Sequence, residues 1–374
     1  DLALAVDRLG GIAHLSDAML MDLSDRLFGT RFTAEKAKRT ASERDNMDKS
    51  AVTFNLDNVK EAARRYVSDV MSRATGHGLV LINCMEKLTM NAGLETLRAR
   101  LTAALDGGID GITLSAGLHL SSMKLMADHP RFKDALIGII VSSSRALNLF
   151  LKKSASTGRL PDYVVVEGPL AGGHLGFKRE EINDPNFALE VLVPQVVEAA
   201  KRLEDQKGRA VPVIAAGGIY TGEDIKKFLD LGASGVQMGT RFVATKECDA
   251  DDRFKQSYIA AREEDITIIK SPVGMPGRAL QNDFIEAARQ GNKKPFKCVF
   301  HCVHTCDQEK TPYCIAQALI SAMKGNLERG FAFCGANVAR VNSIVSVKEL
   351  MESLQQEFDQ TISKGKQTLQ GLLK

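Results

Sequence analysis

The chain has 374 residues, 44% of them hydrophobic and 25% charged, with a formal net charge of +3; this is the make-up of a globular protein with one large domain or two ordinary ones. Lys and Arg are interleaved with Asp and Glu, so no basic stripe calls for nucleic acid, and no apolar run reaches the roughly 18 residues of a membrane span. The amphipathic start Asp1-Leu2-Ala3-Leu4-Ala5-Val6-Asp7-Arg8 is unlike a secretory signal and the seven cysteines are an odd number, which predicts reduced thiols, a cytoplasmic setting and a small-molecule substrate.

Short apolar runs separated by longer amphipathic segments recur from about residue 10 to about residue 265, the βα rhythm of a parallel sheet or barrel. Strands are predicted at 11–15, 79–83, 111–114, 137–141, 163–166, 212–215 and 235–238, with helices at 59–72, 94–105, 146–153, 189–204 and 222–231. Residues 22–56, which include Lys36, Lys38, Arg39, Arg44, Asp45 and Asp48, read as an exposed, partly helical charged insertion. From Ser271 the rhythm stops, and loops at 274–276 and 293–295 lead into a cysteine-rich turn and two late helices. Residues 1–270 are therefore expected to form the barrel and 271–374 a smaller, mainly helical, cysteine-containing appendage. The last helix, about 346–373, is amphipathic and suits either capping the fold or meeting a second copy in a homodimer.

Chemistry concentrates at three strand ends. The strand Tyr163-Val164-Val165-Val166 runs into Gly168-Pro169-Leu170-Ala171-Gly172-Gly173-His174-Leu175-Gly176, where glycines admit a ligand close to the backbone and His174 is suited to moving a proton near neutral pH. Downstream, Pro212-Val213-Ile214-Ala215-Ala216-Gly217-Gly218 and Gly235-Val236-Gln237-Met238-Gly239-Thr240 each end a strand in glycine. In βα barrels the loops after the last two strands commonly hold a phosphate, and Gly217, Gly218, Gly239 and Thr240 fit that task.

Other polar residues read more plainly. His14 and His119 are expected at strand ends or helix starts facing the barrel mouth, where they either touch substrate or, the reading preferred, are satisfied by backbone groups; His77 and His129 are expected in solvated loops. Arg145, after three serines, is either a surface residue beside a helix N-cap or an anion contact. Cys298, Cys302, Cys306 and Cys314, with His301 and His304, lack the ligand spacing of a zinc ribbon or ferredoxin, so no metal is predicted.

The segments AAGGI (residues 215–219), LGASGVQMGTRF (231–242) and EGPLAGGHLG (167–176), together with GLVLINCM around Asn83 and SPVGMPGR at 271–278, resemble the flavin-dependent nitronate monooxygenases, formerly 2-nitropropane dioxygenases, and their relatives the flavin-type enoyl-acyl carrier protein reductases. The resemblance runs from the first residue to about residue 345 and implies an FMN-binding TIM-type (β/α)8 barrel with a smaller added domain. It implies His174 as base or proton handler at the reactive face of the flavin, Ala171, Gly172 and Gly173 beside the isoalloxazine, and Glu167 as an acidic flavin contact. It further implies Ala216, Gly217, Gly218, Gly239 and Thr240 as the phosphate cradle and Asn83 as a residue reaching the flavin ring. Two departures stand out. Relatives carry a strand and a glycine-rich loop ahead of the segment that opens this chain, so the expected barrel lacks its first strand here and the flavin contacts of that loop; and Ala13 stands where relatives usually have glycine.

The activity that the resemblance implies is FMN-dependent oxidation of alkyl nitronates by O2 to a carbonyl compound and nitrite. An NAD(P)H-dependent flavin reductase of enoyl thioesters or quinones is the alternative, because the glycine motifs and the histidine are shared. A non-catalytic flavin-binding or assembly subunit is the reading from a different class.

Overall fold

The computed structural model describes residues 1–39, 55–87, 93–292, 300, 302–303, 306–307 and 310–372. Among the described residues the strands are, in chain order, β1 (Ile12–Ser16), β2 (Leu79–Met85), β3 (Gly111–Ser115), β4 (Leu136–Val141), β5 (Tyr163–Glu167), β6 (Gly173–His174), β7 (Val213–Ala216), β8 (Gly235–Gln237), β9 (Ile266–Lys270) and β10 (Pro276–Leu280). Seven of them make one parallel sheet in the order β1-β2-β3-β4-β5-β7-β8, curled into an open barrel of TIM type with helices outside. All seven lie within two residues of the predicted positions. The strands between the two edges are mostly buried on both faces and read as near-continuous apolar runs.

Side chains that point outward, such as Ile82, Ile112, Leu114, Ile139 and Val164, join the main core beneath the helices. One helix shows how sequence sets these elements: Thr221 Oγ1 accepts from Asp224 N and Asp224 Oδ2 accepts from Thr221 N, a reciprocal box that starts the helix Gly222–Asp230 and buries Phe228. Inward-pointing side chains are partly polar. His14 Nε2 lies 2.6 Å from Thr113 Oγ1, which lies 2.5 Å from Tyr163 Oη. These three come from alternate strands, as layers inside such barrels do. The Tyr163 ring has room because Gly138 lacks a side chain; a Cβ there would sit 2.1 Å from the ring. His14 thus belongs to the middle of β1 and the barrel interior, not to the mouth.

β1 and β8 are the two edges of the sheet and do not pair with each other. The helix Val347–Leu372 bridges the elements that flank both edges: Val347 and Met351 pack on Ala5, Val6, Ala13 and Phe242, while Glu357 Oε2 accepts from Gly222 N at 2.8 Å. A Cβ on Gly222 would lie 2.2 Å from Phe358 N, so only glycine permits this approach. The first half of the last helix therefore caps the fold.

β9 and β10 form an antiparallel hairpin, turning at Gly274 with φ 81°, and β6 pairs with β10 to complete a small sheet in the order β6-β10-β9. Strand structure thus crosses residue 270, and ITIIK carries no polar alternation to announce it. The charged insertion contains the helices Leu20–Phe28 and Phe32–Arg39; residues 40–54 of it lie outside the described residues. His129 is not a solvated loop residue: it caps the turn Pro130–Phe132, accepting from Arg131 N at 3.2 Å, and meets Asp106 Oδ1 at 3.0 Å. His119 is fully buried between Ser122 Oγ and Ser115 O, and Arg145 is exposed.

The helix Leu2–Arg8 is tied down by one buried carboxylate. Asp7 accepts from Thr75 N at 2.5 Å, Thr75 Oγ1 at 2.7 Å and Gly78 N at 3.2 Å. Burial pushes its pKa up, but these donors outweigh burial and hold it below the ordinary value. Its stabilisation is therefore full above the unfolded-state pKa and lost as pH falls through the lower folded value. We expect Asp7→Ala to cost about 2 kcal/mol in denaturant unfolding at neutral pH, the usual scale for stranding buried donors, with the deficit shrinking as the medium is made acidic.

Candidate functional site

β5 ends at Glu167, and the loop that follows is folded back by a buried arginine. Arg278, from β10, donates through Nη1 to Pro169 O and to Ala171 O, both at 2.6 Å. Arg278 also pairs across from Gly173, and Gly277 across from His174, so one strand of the small sheet sets the whole Gly168–His174 segment. Gly173 takes φ 75°, and a Cβ on Gly172 would fall 2.6 Å from the Cys334 carbonyl carbon. Only glycine lets these two backbones meet.

Beside this loop, Gly217 and Gly218 turn the chain out of β7 with φ of 97° and 83°. Asn337 Nδ2 donates to Gly218 O at 2.6 Å, and Thr240 Oγ1 accepts from Gly335 N at 3.0 Å. Together these segments enclose a cavity of about 320 Å3, of the size that small-molecule sites occupy. Glu167, Ala171, Gly172, Gly173, Ala216, Gly217, Gly218, Gly239 and Thr240 all line it.

Asn83 does not line the cavity. It lies on β2, where its Oδ1 accepts from Ser115 Oγ. His174 adjoins the cavity through Phe333, whose ring meets the imidazole edge to face at 4.9 Å and lines the wall. Burial, with the charge of Lys87 as a smaller cause, lowers the His174 pKa to about 4. Its Nε2 is 2.6 Å from Ser271 Oγ, and Val273 N donates to that same oxygen at 3.4 Å. We assign the hydroxyl proton to the Ser271–Nε2 bond, which leaves the imidazole neutral with its proton on Nδ1.

Glu167 has no hydrogen-bond partner among the described residues, and burial pushes its carboxyl up to about 7. Tyr258 donates to Phe333 O and is raised by burial; Cys334 is raised to about 12 by burial, with Arg278 pulling the other way. Both therefore stay protonated near neutral pH.

Sequence reading missed the second wall. Gln237, Tyr258, Phe333, Cys334, Gly335 and Asn337 also face the cavity. FCGAN at 333–337 carries the one available signal, a glycine turn after an apolar run, but nothing local says which barrel loop it meets. Among the described residues no three His, Cys, Asp or Glu side chains converge as a metal site, and no helix is long and apolar enough to cross a membrane.

Over 150 residues the chain is 35% identical to a hydroxy-methyl-oxo-octahydroindene carboxyl-CoA dehydrogenase of Rhodococcus jostii, an alignment covering 40% of this chain and 37% of that protein. A probable nitronate monooxygenase of Staphylococcus haemolyticus is 34% identical over 139 residues, 36% of each chain. The chain thus matches little more than a third of the length of these two relatives. In fold it is similar to FabK from Thermotoga maritima, with TM-score 0.63 and 21% identity over 98% of this chain and 97% of that one. It is also similar in fold to nitroalkane oxidase from Streptomyces ansochromogenes, with TM-score 0.64 and 19% identity over 97% and 92%.

The Arg278 strap offers a direct test of how the loop is held. Arg278→Met should strand two buried carbonyls and cost about 3 kcal/mol in denaturant unfolding, the scale of losing charge-assisted bonds; a loss within experimental error would show that the loop is held by packing alone.

The family profile described as nitronate monooxygenase matches residues 114–357, a span that holds β5, the His174 loop, both glycine turns, the Arg278 strap and the FCGAN wall but leaves β1, β2 and Asn83 outside; the chain belongs to the nitronate monooxygenase family.

Proposed function

We propose that this cavity holds a flavin, FMN, and that the protein oxidises alkyl nitronates with O2 to a carbonyl compound and nitrite. The observation that carries the reading is the pairing of a backbone-walled cavity with a neutral histidine at its rim. The residues present fit the cofactor: Gly217 and Gly218 turn with positive φ beside Gly239 and Thr240, suiting a phosphate, and the unpartnered Glu167 carboxyl faces the cavity where a ring would seek a donor. Bound flavin supplies the two-electron oxidant and passes electrons to O2.

The chain's own groups then narrow the substrate. A histidine whose conjugate acid has a pKa of about 4 is a weak base at neutral pH. It is poorly matched to pulling a proton from a neutral nitroalkane and better matched to one that arrives ionised. Neutral His174, with Nε2 taken by Ser271, offers Nδ1–H as a donor to a nitronate oxygen and so orients a substrate whose acidic α proton has already gone. Phe333 and the Gly172–Cys334 contact limit water at that rim.

Oxygen uptake and nitrite release by FMN-loaded protein with ethyl nitronate test the proposal. His174→Ala should lower kcat/KM by about a hundredfold, the usual scale for losing one preorganised hydrogen-bond donor. No turnover in the unaltered protein would overturn the reading, and rapid anaerobic bleaching of the flavin by NADPH would establish the reductase in its place. Glu167 supplies a second test. Its carboxyl is neutral below about pH 7 and ionised above, and a buried negative charge opposes an anionic ligand, so FMN affinity should fall as pH rises through neutrality. In Glu167→Gln the dissociation constant, followed by flavin fluorescence, should lose that pH dependence.

A further inference from the structure

We infer that Asn337 is a positioning residue of the phosphate cradle, and that the segment carrying it makes the site select a flavin with a terminal phosphate over one without. The inference rests on the flavin reading for its ligand and on the contacts of residues 334–337 for its geometry. That segment reaches three barrel loops at once. Gly335 N donates to Thr240 Oγ1 at 3.0 Å, Ala336 N to Leu170 O at 3.1 Å and Asn337 Nδ2 to Gly218 O at 2.6 Å. Cys334 N donates to Arg278 O at 3.1 Å, so the segment is anchored on β10 as well.

Asn337 opens the short turn Val338–Arg340, a position where an asparagine side chain usually accepts from the backbone of its own turn. Here it caps nothing, and its amide crosses to Gly218 instead. A carbonyl oxygen only accepts, so the amide must present its nitrogen there. Gly217 and Gly218 stand in succession with φ of 97° and 83°, and two glycines in a row have the most backbone freedom to lose on ordering. Pinning the Gly218 carbonyl fixes the plane of the peptide it shares with Ile219, and with it the direction of the Ile219 N–H.

The donors so arranged are idle in the protein itself. The N–H groups of Gly217, Gly218, Ile219, Gly239 and Thr240, all on residues lining the cavity, make no hydrogen bond among the described residues. Thr240 Oγ1 already accepts from Gly335 N, and its hydroxyl hydrogen has no acceptor among the described residues. No Lys or Arg is among the described residues that line the cavity. An anion in this site is therefore held by neutral donors, whose strength depends on direction rather than on charge. Asn337 and Gly335 set that direction from outside the barrel.

The test compares FMN with riboflavin, which has the same ring and lacks the phosphate, by flavin fluorescence titration of flavin-free protein. The unaltered protein should bind FMN more tightly. Asn337→Ala should weaken FMN about tenfold, the scale of one hydrogen bond, and leave riboflavin within about twofold. Asn337→Asp keeps the shape of the side chain but turns an acceptor toward Gly218 O, so it should weaken FMN further and still spare riboflavin. Equal weakening of both flavins in the two variants would make Asn337 a merely structural residue. That result, unchanged FMN affinity in the variants, or equal affinity of the unaltered protein for the two flavins overturns the inference. Inorganic phosphate, titrated by calorimetry, separates the inference from the reading beneath it. Phosphate binding that falls in Asn337→Ala, in a protein that binds neither flavin, upholds the cradle and counts against the flavin. If the unaltered protein binds neither flavin nor phosphate, both fall.

Discussion

The cavity exists because one buried guanidinium ties two parts of the chain together. Arg278 comes from a hairpin outside the barrel, yet its two 2.6 Å bonds end on the carbonyls that shape the loop after β5. Through the pairing of β10 with β6 the same strand sets His174, and through the Gly172 contact it brings the Cys334–Gly335 backbone against that loop. A guanidinium suits this task because it keeps its charge when buried and offers several donors in one plane. The barrel supplies glycine turns, and the small sheet makes them a closed site.

Inside that site, burial has left the groups nearest the cavity uncharged or close to it. His174 is too weak a base to hold a proton at neutral pH, Tyr258 and Cys334 hold theirs firmly, and Glu167 is balanced near neutrality. The environment, rather than the number of ionisable residues, determines what the site can attract.

Much of this was legible in the chain itself. Short apolar runs such as Tyr163-Val164-Val165-Val166, set between longer amphipathic segments, announce the strands, so the main sheet was placed within two residues throughout. The glycine pairs at 217–218 and 172–173 were legible because only glycine meets their φ or their close contacts. What escaped depends on pairings between distant residues: β6 is two residues long and exists only through β10, and the bond between His174 and Ser271 joins positions 97 apart. Asn337, which braces Gly218 from 119 residues away, follows from no spacing rule. The placement of His14 failed for a related reason, because a histidine in a strand gives no sign of whether its partner is solvent, backbone or a threonine two strands away.

That histidine has a mechanical consequence. A closed barrel keeps its radius with a hoop of backbone hydrogen bonds, but here β1 and β8 leave the hoop open. The chain His14–Thr113–Tyr163 spans from β1 to β5 as a chord, with Asn83 to Ser115 as a shorter one nearer the mouth. Chords hold a curve that has no hoop. Their lengths set how far the β1–β5 part of the sheet can flatten.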